Sequence, residues 1–113
     1  MNFEITATDD FRRSLKKLSK RYSSLKQDLK NFADSIRENP MQGDELSPGI
    51  RKMRMAITSK GRGKSGGARV ITYTVIVSEN DGKVYLMDIY DKADYSTVDV
   101  HIIQKKIREL GLE

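Results

Sequence analysis

The apolar residues of this chain change rhythm along its length. From Met1 to Thr6 they alternate, with Phe3 and Ile5 on one side, which predicts a short, half-buried strand. Phe11, Leu15, Leu18 and Tyr22 then recur at steps of three and four, opposite a face of Arg12, Arg13, Lys16, Lys17 and Lys20. That stripe predicts a helix, capped by Thr8, with Asp9 and Asp10 at the positive end of its dipole. Ser23 and Ser24 break the pattern. Leu25, Leu29, Phe32 and Ile36 begin a second stripe, which stops at Asn39-Pro40 because proline disfavours helix in the residue before it.

Period two returns in the second half. Met41 to Gly49, with Gly43, Pro48 and Gly49 as breakers, reads as loop. Ile50 to Ile57 reads as a strand with Met53, Met55 and Ile57 toward the core and Lys52 and Arg54 together on the other face. Ser59 to Gly67 is too rich in glycine for either regular element and reads as a mobile basic loop. Ala68 to Val77 is β-branched and aromatic, the composition of a central strand. Asn80-Asp81-Gly82 signals a tight turn, and Lys83 to Tyr90 the returning strand. Ser96 can cap a last helix, buried through Ile103, Ile107 and Leu110 and stopped by Gly111.

The expected order is β-α-α-β-β-β-α in a single α+β domain over residues 1–113. Three strands form an antiparallel meander, the N-terminal helical hairpin covers one face of the small antiparallel sheet, and a C-terminal helix follows. The open face then carries Lys52, Arg54, Arg69 and Tyr90, with Arg69 exposed enough to be replaced without harm to the fold.

Charge sharpens this picture. The stretch Arg51 to Arg69 holds seven basic residues and no acid; the chain carries +5 in all, +7 in this stretch, leaving −2 elsewhere. A mildly acidic body with one cationic segment points to a polyanionic partner. There is no cysteine or tryptophan and only one histidine, which fits a reducing, cytoplasmic setting and gives a metal site nothing to build on. No apolar run approaches the ~20 residues of a membrane span. The N-terminal acids Glu4, Asp9 and Asp10 do not suit a signal peptide.

Gly63-Lys64-Ser65 imitates the end of a phosphate-binding loop, but the glycine required five positions earlier is Thr58, and a strand follows where a helix should start. His101 falls on the polar side of the last helix, as an ordinary surface histidine. An enzyme built from what remains works with lysine, arginine, tyrosine and backbone. RNA suits such a set because it brings its own nucleophile, the 2′-hydroxyl. The protein need only align the attack, move two protons and hold the extra negative charge. Arginines offer paired donors to the phosphate, a lysine crowded by cations shifts toward acid–base use, and Tyr90 can donate a proton or stack on a base. The same residues also suit binding of phosphates without cleavage.

The basic strand, the SKGRGKSGGAR loop, VITYTVI, VYLMDIYDK over 84–92 and a closing helix, with ENP ending the upstream helices, together resemble the RelE/ParE superfamily of type II toxins across essentially the whole chain. The resemblance is closest to the HigB-like branch of RelE toxins. It implies a metal-free, ribosome-dependent mRNA endoribonuclease that needs no cofactor and is neutralised by a cognate antitoxin, expected to be a helix-turn-helix protein. By position it implies catalytic roles for Lys52, Arg54, Arg69 and Tyr90, and ribosome or RNA contacts for Lys60, Arg62, Lys64 and Lys92. Some relatives carry histidines near the site and this chain has none there, which leaves the base open between Lys52 and Tyr90. Two other readings remain: a ParE-like toxin that poisons DNA gyrase, and a plain nucleic-acid-binding module.

Overall fold

A computed structural model describes residues 2–61, 63–95 and 97–113. The order is β1 (Asn2–Ala7), α1 (Asp9–Ser19), α2 (Leu25–Glu38), β2 (Asp44–Ser47), β3 (Ile50–Met55), a single 3-10 turn (Thr58–Lys60), β4 (Ala68–Ser78), β5 (Asp81–Asp91) and α3 (Val100–Glu109). The strands make one five-stranded sheet in the order β1-β5-β4-β3-β2. The α+β class and the β3-β4-β5 antiparallel meander are as expected.

Two features of the sheet differ from expectation. First, it is mixed rather than antiparallel, because β1 runs parallel to β5. No hairpin joins these two strands, so nothing forces them to oppose; the helical hairpin carries the chain away from that edge. Second, the segment read as loop contains β2, antiparallel to β3. Asp-Glu-Leu-Ser has no strand composition of its own. It pairs because Pro48 and Gly49 (φ 80°) fold it straight back onto β3.

The helical hairpin covers one face as its stripes dictate. Phe11, Leu18, Leu25, Phe32 and Ile36 pack on Met53, Met55, Val70, Val84, Leu86 and Ile89. Thr8 caps α1 by accepting from the Phe11 N–H at 3.3 Å. The opposite face is not left open: α3 lays Ile103 and Ile107 over Ile50, Ile71, Met87 and Tyr90. Asp99 caps α3 by accepting from the His101 N–H at 2.9 Å, while Ser96, the expected cap, lies outside the described residues. Leu110 is 55% exposed instead of buried. Gly111 (φ 66°) reverses the chain so that the Leu112 N–H reaches the Ile107 carbonyl at 3.1 Å, and Leu112 packs into the cluster in its place. The β4–β5 turn also shifts by a residue. Ser78 pairs with Asp81, and Gly82 lies within β5, where a Cβ would meet the Val75 carbonyl at 2.5 Å and the Phe3 ring at 2.7 Å. No helix among the described residues is long and apolar enough to cross a membrane.

Candidate functional site

The end of β3, the start of β4 and the end of β5 meet at one end of the sheet, where Met55 pairs with Ala68 and Ala68 with Asp91. One step in, Arg54 pairs with Arg69 and Arg69 with Tyr90. Directly paired residues point to the same face with Cβ atoms about 4.5–5.5 Å apart. Arg54 and Arg69 therefore leave the sheet side by side, with Tyr90 next in the row on β5. Lys52 lies two residues back on the same face of β3, opposite Asp44 on β2. The α3 cluster leaves this corner uncovered, and it forms a pocket of about 230 Å³ lined by Asp44, Lys52, Arg54, Arg69, Lys92 and Tyr95.

Arg69 differs from expectation in its burial. It is 7% exposed, because the glycine-rich segment folds down over it. Its guanidinium donates to the carbonyls of Lys64 (3.2 Å), Ser65 (3.0 Å) and Ala68 (3.1 Å). It therefore holds the loop in place while its charge stays uncompensated; among the described residues neither Arg54 nor Arg69 joins an ion pair. The Lys92 N–H donates to the Gly67 carbonyl at 3.1 Å, and a Cβ on Gly67 would sit 2.2 Å from the Met55 carbonyl. The loop is thus tethered at its base rather than free.

Tyr90 is buried and does not line that pocket. Its ring meets Tyr95 edge-on at 5.8 Å between centroids, and its hydroxyl has no hydrogen-bond partner among the described residues. Burial pushes the phenol above its ordinary 10.0, against the pull of Arg69 and with a further push from Asp88. Tyr90 therefore contributes packing beneath the pocket rather than a group that lines it.

Lys60 is not available to the pocket. Its ammonium donates to the Asp91 carboxylate at 2.8 Å and lies 5.7 Å from the centre of the Tyr22 ring. Asp91, fully buried, also accepts from the Tyr22 hydroxyl (2.5 Å), the Arg21 guanidinium (3.2 Å) and the Ala93 N–H (3.0 Å). Burial alone would raise its pKa. The hydrogen bonds from Lys60, Tyr22 and Ala93, with the Lys60 charge, outweigh that and hold it at about 2. Asp91 thus locks the α1–α2 connection and the 3-10 turn to the end of β5. A second buried carboxylate, Asp28, fixes the other side of that turn through the Thr58 N–H (2.9 Å) and the Ser24 hydroxyl (2.7 Å).

Of the expected docking residues, Lys64 is exposed and borders, with Arg54, a neighbouring groove of about 200 Å³ against α2. Lys92 is exposed at the pocket. Arg62 lies outside the described residues. Sequence reasoning missed Asp44, hidden in a segment read as loop, and Tyr95, 63% exposed beside the cations in a stretch with no periodicity. Among the described residues no three His, Cys, Asp or Glu side chains gather as metal ligands would. No protein-family model matches this chain.

Proposed function

We propose that this chain is a toxin of the RelE/ParE type, with the strand arrangement of that superfamily, acting as a ribosome-dependent mRNA endoribonuclease. The observation that carries the reading is the Arg54–Arg69 pair. Like charges directly opposed across two strands destabilise a sheet, and these two have no carboxylate between them. A phosphate placed between them relieves the repulsion and receives donors from both guanidinium groups.

Around that phosphate the remaining lining residues take simple roles. Arg54 and Arg69 hold the non-bridging oxygens and meet the charge that builds as the 2′-hydroxyl attacks. Lys52, one step along β3, supplies a proton to the departing 5′-oxygen. Tyr95 offers an exposed ring for a neighbouring base. Lys92 and Lys64 extend the cationic surface toward ribosomal RNA. The route asks for no metal. A helix-turn-helix antitoxin is the partner expected to cover this surface.

The test is brief induction in growing cells, followed by mapping of messenger 5′ ends. New ends within translated frames, absent when translation is blocked, support the reading. Growth arrest with intact messengers and gyrase trapped on DNA refutes it and selects the ParE-like alternative.

A further inference from the structure

We propose that Asp44 is the proton acceptor of this site, taking the 2′-hydroxyl proton as the attack begins; this rests on the nuclease reading above. Cleavage needs an acceptor, and the pocket offers few. Lys52, Arg54, Arg69 and Lys92 line it with nitrogen donors, and Tyr95 with a phenol hydroxyl. Asp44 is the one carboxylate among the lining residues. Tyr90 lies outside the lining and holds its proton more firmly than a free phenol.

The backbone presents Asp44 in a defined way. It pairs with Lys52, so it stands one row back from Arg54 on the same face. Gly43 immediately before it has φ 82°, and a Cβ there would lie 2.3 Å from the Lys52 carbonyl, so the chain enters β2 pressed against β3. Arg51 secures that approach by donating to the Met41 carbonyl at 2.8 Å. Alternation then separates two adjacent acids. Glu45 pairs with Arg51 at 3.8 Å, away from the pocket, while Asp44 faces into it. Among the described residues Asp44 makes no hydrogen bond or ion pair, unlike Asp28 and Asp91, whose oxygens are consumed by the fold.

A pocket that merely bound phosphate would hold RNA better without this negative charge, so the carboxylate works against binding and needs another role. In the step proposed, Asp44 takes the proton from O2′, the O2′–P bond forms and the P–O5′ bond breaks. The 5′-oxygen receives a proton from the Lys52 ammonium. The products are a 2′,3′-cyclic phosphate and a 5′-hydroxyl, and the proton on Asp44 returns to Lys52 through water. Nothing is oxidised and no co-reactant is consumed.

The assay compares wild type, Asp44→Asn and Asp44→Glu on purified ribosomes programmed with mRNA, alongside binding to the same complex with 2′-deoxyribose at the cut site. Asp44 is exposed on an edge strand, so Asn should keep the wild-type urea midpoint. The expected result is binding unchanged or tighter, with kcat lowered by about 10²–10⁴ and partly restored in Asp44→Glu. Asn cutting within about threefold of wild type, or losing binding in proportion to rate, overturns the assignment and leaves the nuclease reading standing. A wild type that cuts no messenger refutes the nuclease reading and the assignment with it.

Discussion

Replacing Asp91 by Asn should unlock the base of the site without touching the pocket. The carboxylate accepts from Lys60, Tyr22, Arg21 and the Ala93 N–H. Its pKa falls from an ordinary 3.8 to about 2 on folding. At about 1.4 kcal/mol per unit, that depression is worth roughly 2 kcal/mol of stability near neutral pH. Asn also leaves the Lys60 ammonium, whose side chain is only 12% exposed, without its counter-ion. Breaking a buried pair costs ~3–5 kcal/mol, reduced here because Arg21 and Lys60 can turn to solvent. The expected loss at pH 7 is therefore about 2–4 kcal/mol. The sign follows from the depressed pKa: the stabilisation is complete above 3.8 and disappears as pH falls through about 2. Urea unfolding of wild type and Asp91→Asn from pH 7 to pH 2 tests this, since the difference between the two isolates Asp91 from the other carboxylates. The curves should lie apart at neutral pH and draw together toward pH 2. A difference below about 0.5 kcal/mol at pH 7, the range of ordinary surface substitutions, or a gap that stays constant to pH 2, refutes the reasoning.

Arg69→Lys keeps the charge but cannot span the Lys64 and Ser65 carbonyls; both it and Arg69→Ala should abolish cleavage, and Ala should also cost about 1–2 kcal/mol in urea by releasing the loop. Full activity in either variant removes Arg69 from the site. Lys64→Ala and Lys92→Ala should each flatten the salt dependence of ribosome binding by roughly one unit of slope per lost phosphate contact, with the duplex rule as a guide. Lys60→Ala should instead lower stability and leave that slope alone, because its charge is spent on Asp91. Tyr95→Ala should weaken binding of a single-stranded oligoribonucleotide by ~1–3 kcal/mol, a loss that Tyr95→Phe escapes if stacking is the cause.

What the sequence made legible was whatever depends on a residue and its near neighbours. Parity along Ile50–Ile57 placed Met53, Met55 and Ile57 inside and Lys52 and Arg54 opposite, and both hold. Parity in three strands also put Arg54, Arg69 and Tyr90 on one face, while the register that sets them in one row came only with the fold. What stayed hidden depends on partners far along the chain. Lys60 looks like a loop cation until folding brings Asp91, 31 residues on, against it. Asp44 lies on a strand made by its pairing with β3, not by its own propensity. Arg69 was placed on the correct face, but its burial comes from the path of the loop, which glycines leave undetermined by local preference.

These differences change what the cationic stretch from Arg51 to Arg69 means. Read as seven free charges, it argued for a polyanion by sheer excess. In the fold, Arg51 secures the turn before β2, Lys60 secures the end of β5, and Arg69 braces the loop before β4, so these charges also serve the protein itself. Lys52, Arg54 and Arg69 converge on one small pocket, and Lys64 stands exposed beside it. The case for an anionic ligand therefore rests on arrangement rather than total charge. A charge total predicts affinity for any nucleic acid, falling with salt. Two arginines abreast on rigid strands, with a carboxylate one row away, predict selectivity for one phosphate and its neighbouring 2′-hydroxyl. On this reading, substituting Asp44, Lys52, Arg54 or Arg69 changes rate at any salt concentration, whereas substituting Lys64 or Lys92 changes mainly the salt at which the complex forms.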